Sequence, residues 1–76
     1  MNDQNTIINA LISKLELKND AALARAMNLP YPVISKMRHD KMQTGASFII
    51  RGHLVSGMPV QELIELGGLT QFEGFK

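Results

Sequence analysis

Helix-breaking residues recur every ten to fifteen positions in this chain and leave room only for short elements between them. The clearest are Asn28, Gly57 and the pair Gly67 and Gly68. Between these breakers, apolar residues are spaced three or four apart, which is typical of one face of a helix, and they do not alternate with polar residues over the length of a strand. The spacing therefore predicts an all-α fold, a compact bundle of five helices without a sheet.

Caps and breakers predict where the five helices lie. They are expected near residues 5–16, 21–27, 32 to about 40, 45–56 and 59–66. Thr44 is expected to cap the fourth helix, because its side-chain oxygen can accept a backbone N–H group. The apolar residues of that helix point nearly all round, so it is predicted to be buried at the centre of the core.

The length and composition limit the kind of protein that this chain can be. Its 76 residues, 45% of them hydrophobic, are enough for one domain and too few for most enzyme architectures. The absence of cysteine removes the disulfides that stabilise small secreted domains, so a cytoplasmic setting is expected. The first residues, MNDQNT, lack a basic region and the apolar runs are short, so we expect neither a signal peptide nor a membrane span.

Charge is unevenly distributed along the chain, although its net value is only +1. Residues 36–53 hold four basic residues against the single acidic residue Asp40, whereas residues 54–76 hold three acidic residues against one basic residue. This asymmetry indicates an anionic partner for one face, or an ordinary solvated surface.

Residues 19–39 have the apolar pattern of a helix-turn-helix, in which a short helix, a tight turn and a second helix follow one another. Asn28 tolerates the left-handed conformation that ends a helix, and Leu29 behind it can fold back onto the first helix. Ala24 is small where the two helices would cross, and Leu29 and Ile34 would fill the angle between them. The pattern therefore predicts a helix-turn-helix formed by helices 2 and 3.

These positions resemble the helix-turn-helix of the Cro and phage-repressor family, whose lambda-repressor-like domains contain five helices. The segment SGMPVQELIEL at residues 56–66 is similar to the final helix of that family, and the resemblance covers about residues 5–66. It implies a helix-turn-helix DNA-binding domain at residues 1–68 in a bacterial or phage-encoded protein. The implied function is a transcriptional regulator that binds double-stranded DNA sequence-specifically, as a homodimer on a two-fold operator.

The resemblance also implies which side chains of helix 3 read the DNA bases. At about 100° per residue, Val33, Ile34 and Met37 share one side of the helix, and more polar residues lie opposite. In the family this helix lies in the major groove. The matching positions, which we expect to contact bases, are Tyr31, Pro32, Ser35, Lys36 and His39.

Lys36 is the strongest of these candidates, because a lysine can donate to O6 and N7 of guanine. Three residues have simpler alternative roles. Tyr31 could serve solely to fix the start of the helix, and Lys36 or Arg38 could serve solely as a charge that keeps the surface soluble. Phosphate contacts are expected from a second group, whose charged members would make binding depend on salt. This group comprises Asn19, Arg38, Lys41 and Arg51.

The apolar C-terminal tail at residues 69–76 is a candidate dimerisation segment. Leu69, Phe72 and Phe75 are too apolar for a free end, and the alternative is that they fold back onto the same subunit. His39 and His53 are fourteen residues apart with no cysteine nearby, so no metal site is expected.

The sequence contains no nucleophile elbow, phosphate-binding loop or metal-binding helix signature. We therefore expect no enzymatic activity, no cofactor and no small-molecule substrate. The rival to DNA binding is a protein-interaction module, for example a phage-type modulator of a host protein, that keeps the fold without specific DNA binding.

Overall fold

Five short helices make up the regular structure of residues 3–68, the part of the chain that this computed structural model describes. They are α1 (Gln4–Lys14), α2 (Asp20–Ala26), α3 (Tyr31–Arg38), α4 (Ala46–Ser56) and α5 (Val60–Leu66). No strand occurs among these residues, so the prediction of an all-α five-helix bundle is confirmed. None of the described helices has the length and apolar character needed to cross a membrane.

Helix α1 forms the centre of the bundle and contacts all four other helices. Its residues Ile7, Ile8 and Leu11 are fully buried, and each such side chain contributes about 1.5–3 kcal/mol relative to an exposed one. The helix begins where the carboxylate of Asp3 accepts the N–H of Thr6 at 3.0 Å. This backbone hydrogen bond lowers the pKa of Asp3.

Helices α1, α2 and α3 all end with a residue other than glycine in the left-handed conformation. The residues are Glu16, Asn28 and Asp40, with φ angles of 54°, 55° and 57°. At the end of α2, the N–H of Leu29 donates to the carbonyl of Ala24 at 2.8 Å, and the N–H of Asn28 donates to that of Arg25. This is the Schellman arrangement, in which the turn itself satisfies the last carbonyls of the helix. The predicted turn at Asn28 is confirmed.

Glu16 should be a site where glycine stabilises the protein. A non-glycine residue in the left-handed region costs about 1–2 kcal/mol, and the entropy of glycine offsets part of the gain from relieving that cost. We therefore expect Glu16→Gly to raise the free energy of unfolding by about 0.5–1 kcal/mol, measured by urea denaturation. Ala10→Gly, inside α1, is the control and should lower it by about 1 kcal/mol. A lower free energy of unfolding in Glu16→Gly would contradict the inference that the backbone is strained at Glu16.

Two expectations for α4 are wrong. The helix is preceded by Gly45 as its N-terminal cap, while Thr44 is buried and its hydroxyl donates to Oε1 of Gln4 at 3.4 Å. The helix is also not buried all round, because Leu54 is 73% exposed and Ile50 is 44% exposed. The physical reason is that α1 occupies the centre of the bundle, so α4 buries one face only.

Gly52 lies on the buried face of α4, beside the side chains of Leu11 in α1 and Leu63 in α5. A Cβ atom at this position would lie 3.3 Å from Cδ1 of Leu11 and 3.6 Å from Cδ1 of Leu63. The missing side chain thus lets α4 pack directly on α1 and α5. Its neighbours Phe48 and Ile49 fill the rest of that face.

Candidate nucleic-acid interface

Helices α2 and α3 form the helix-turn-helix and pack closely on each other. Leu23 and Ala24 from α2 are buried together with Ile34 and Met37 from α3, and each is at most 2% exposed. Because Ile34 and Met37 are three residues apart, they fix one side of α3 against the core. The rotation of α3 about its axis is therefore set by apolar packing.

The five predicted base-contact residues share the opposite side of α3 and its end. Tyr31 is 52% exposed, Pro32, Lys36 and His39 are exposed, and Ser35 is half-buried. At about 100° per residue they fall within an arc of about 140°. The structure therefore brings these side chains together on one continuous outward surface, which we call the α3 outer face.

The start of α3 is fixed by proline rather than by a side-chain cap. Pro30 precedes the helix with a φ of −62° and ψ of 139°, and Pro32 lies in its first turn. Proline suits this position because its fixed φ matches a helix and its missing N–H needs no partner there. Tyr31 lies between the two prolines and lines an open cleft with Asn19, Asp20 and Ala21 of the neighbouring helix start.

A bidentate ion pair joins α2 to the end of α3. Nε of Arg38 donates to Oδ2 of Asp20 at 3.0 Å, and Nη2 donates to Oδ1 at 2.8 Å. Nη1 of the same guanidinium donates to Oδ1 of Asn5 in α1 at 3.1 Å. Both charged side chains are mostly buried, at 22% and 25% exposed. The arrangement links three helices and neutralises Asp20 beside the α3 outer face.

Sequence reasoning missed this ion pair, because the partners are 18 residues apart and no spacing rule connects them. It also missed Gln4, whose Nε2 donates to the carbonyl of Met37 at 2.8 Å and so satisfies the end of α3 from α1. The only signal in the sequence for the contacts of Gln4 and Asn5 with α3 was that these polar side chains lie in the first turn of α1.

The four predicted phosphate-contact residues fall into two groups. Lys41 is exposed three residues after the end of α3, and Asn19 is exposed at the start of α2, where its Oδ1 accepts the N–H of Ala22 at 2.9 Å. This leaves the amide N–H groups of Asn19 as donors for a phosphate. Arg38 is held by Asp20 and Asn5, and Nη1 of Arg51 donates to the carbonyl of Met27 at 3.1 Å. For both arginines, these internal hydrogen bonds compete with the predicted phosphate contact.

Other predicted features lie away from this surface. His53 places Nδ1 2.7 Å from the carbonyl of Met58, and no group of three or more potential metal ligands occurs within residues 3–68. The candidate dimerisation residues Leu69, Phe72 and Phe75 lie outside the described residues.

Comparison of the chain with protein-family models, with curated proteins and with solved structures gives no match. The resemblance to the Cro and phage-repressor family therefore depends on the residues of the helix-turn-helix and of the final helix.

Proposed function

We propose that this protein is a sequence-specific regulator of transcription that binds double-stranded DNA with α3 in the major groove. The observation that carries the proposal is the outward arc of Tyr31, Pro32, Ser35, Lys36 and His39 opposite the buried Ile34 and Met37. Four of the five outward side chains can donate a hydrogen bond, as base edges and phosphates require. A helix is about 10–12 Å across, which fits a major groove about 12 Å wide.

The basic charge near this surface supports an electrostatic contribution to binding. Lys36 and Lys41 are exposed, and the negative charge of Asp20 is paired with Arg38. One helix in one groove gives limited affinity, so we propose a homodimer that binds two half-sites about 34 Å apart in the bacterial or phage-infected cell. Occupying such an operator would block or guide polymerase.

A protein-interaction module is the second candidate. It is favoured by Leu54, which is 73% exposed on α4, and by the internal pairing of Arg38, which leaves fewer arginines for phosphates. Such a protein would keep the fold and bind no particular duplex.

Selection of bound duplexes from a random pool tests the proposal most directly. We expect enrichment of a sequence with two-fold symmetry, and the logarithm of its binding constant should fall linearly with the logarithm of salt concentration, by about 0.9 for each phosphate contact. Failure to bind any duplex at low salt, or binding without a salt slope, would exclude the proposed function and favour the protein-interaction module.

The salt slope also tests the role of Arg38. The double variant Asp20→Asn/Arg38→Gln removes an ion pair without changing the net charge. Because the guanidinium of Arg38 is already held by Asp20 and Asn5, we expect an unchanged slope, whereas Lys41→Gln should reduce the slope by about 0.9. Both slopes can be measured by fluorescence anisotropy on the selected duplex. A reduction of about 0.9 in the double variant would show that Arg38 contacts a phosphate.

A further inference from the structure

The side chain of Gln4, at the start of α1, contacts both ends of the loop that joins α3 to α4. Its Nε2 donates to the carbonyl of Met37 at 2.8 Å and to Oδ1 of Asp40 at 3.4 Å, where the loop begins. Its Oε1 accepts from the hydroxyl of Thr44 at 3.4 Å, where the loop ends. One carboxamide therefore uses its donor group at one end of the loop and its acceptor at the other.

The short contact with Met37 anchors this arrangement. A carbonyl can only accept, so this contact fixes which end of the carboxamide of Gln4 faces α3. At the other end of the loop, Thr44 is only 5% exposed, so its hydroxyl needs a partner inside the protein, which Gln4 supplies. Helix α1 thus holds the loop at both ends.

Lys41 lies within this loop and is exposed. Asp40 before it has the left-handed conformation, and the N–H of Lys41 donates to the carbonyl of Lys36 at 2.8 Å. The rotation of α3 is set separately, by the buried side chains of Ile34 and Met37. A change at Gln4 is therefore expected to release the loop without turning the α3 outer face.

We propose that Gln4 is a positioning residue for DNA binding, which acts by holding the loop that carries Lys41. The inference rests on the proposed function, in which Lys41 contacts a phosphate. A loop that is already held loses little conformational freedom when its lysine meets the phosphate. A released loop loses that freedom on binding, which lowers the affinity. Gln4 itself needs no contact with DNA.

Gln4→Met tests the inference, because methionine is also unbranched and lacks the carboxamide. By fluorescence anisotropy on the selected duplex, we expect a loss of affinity of about 2- to 12-fold, the effect of ordering one long side chain on binding. In the Lys41→Gln background the same substitution should cost less than about twofold, because no lysine is left to position. A residue that only stabilises the fold would give the same loss in both backgrounds.

Gln61→Met is the matched control. Gln61 is an exposed glutamine in the first turn of α5, and its Nε2 donates to Oε1 of Glu65 at 3.3 Å. This substitution removes a carboxamide of the same kind away from the loop, so affinity for the selected duplex should change by less than about twofold.

Thr44→Val is a second variant that releases only one end of the loop. Valine has the shape of threonine without its hydroxyl, so the contact of Gln4 with Met37 is kept. Affinity should fall in this variant too, and again only when Lys41 is present. Without DNA, the amide hydrogen of Lys41 should exchange faster with solvent in Gln4→Met than in the parent protein, whereas that of Ile34, inside α3, should not change. Circular dichroism should show the same helix content in all variants.

Three outcomes would overturn the inference and leave the proposed function in place. The first is an undiminished affinity for the selected duplex in both Gln4→Met and Thr44→Val. The second is a loss of the same size with and without Lys41. The third is an unchanged exchange rate of the Lys41 amide. A parent protein that binds no duplex would exclude the proposed function and this inference together.

Discussion

Ile34→Ala is expected to lower the free energy of unfolding by about 2–5 kcal/mol. Ile34 is fully buried in the hydrophobic core on the inner side of α3. Replacing it removes buried methyl groups and leaves a cavity that the short helices can only partly fill. A chain of this length has a total stability of about 4–11 kcal/mol, so this one substitution removes a large part of it.

Urea denaturation followed by circular dichroism measures this effect. Ile34→Val is the graded control and should cost about 0.5–1.5 kcal/mol, since it removes one methylene group. Lys36→Ala, two residues further along the same helix but exposed, should stay within about 0.5 kcal/mol of the parent. If Lys36→Ala destabilised the protein as much as Ile34→Ala, the rotation of α3 described above would be wrong.

Lys36→Ala is expected to have the largest effect on DNA recognition, about 1–3 kcal/mol or roughly a 5- to 150-fold loss of affinity for the selected duplex. Lys36 is exposed within the arc of predicted base-contact residues, and its ammonium group can donate to guanine. Affinity for an unrelated duplex should fall much less, because only the general electrostatic contribution is lost there.

Lys14→Ala provides the control for this experiment, because Lys14 is an exposed lysine in the last turn of α1, outside the helix-turn-helix. Fluorescence anisotropy at one salt concentration gives, for the selected and the unrelated duplex, the ratio of the variant's dissociation constant to that of the parent protein. If Lys36→Ala lost the same affinity for the selected and the unrelated duplex, Lys36 would contact only phosphates. If it lost no affinity for either duplex, Lys36 would be an ordinary solvated surface residue.

Local signals in the sequence predicted the helices well. The boundaries of α2 and α3 lie within about one residue of the expected positions at their starts, because Asn19, Asn28 and Pro32 act on the backbone next to them. Caps and prolines of this kind depend on neighbouring N–H and carbonyl groups alone. The buried side of α3 was predictable for a similar reason, since helical spacing determines which residues share a face.

Long-range contacts account for what the sequence did not predict. Thr44 fails as a cap because its hydroxyl reaches Gln4, 40 residues away, and Gly45 takes the cap position. The sequence does not show that Arg38 is paired, because its partners Asp20 and Asn5 are 18 and 33 residues away along the chain. The exposed side of α4 could not be predicted either, because the sequence of an apolar helix does not indicate which of its sides the other helices will cover. The base-contact assignments themselves stay predictions.

The carboxamides of Gln4 and Asn5 have a consequence for engineering. They hold the carbonyl of Met37 and the guanidinium of Arg38, so the C-terminal end of α3 is braced by residues that come more than thirty positions earlier. A peptide grafted from residues 19–39 onto another scaffold would lack this brace and would need substitute hydrogen-bond partners at that end.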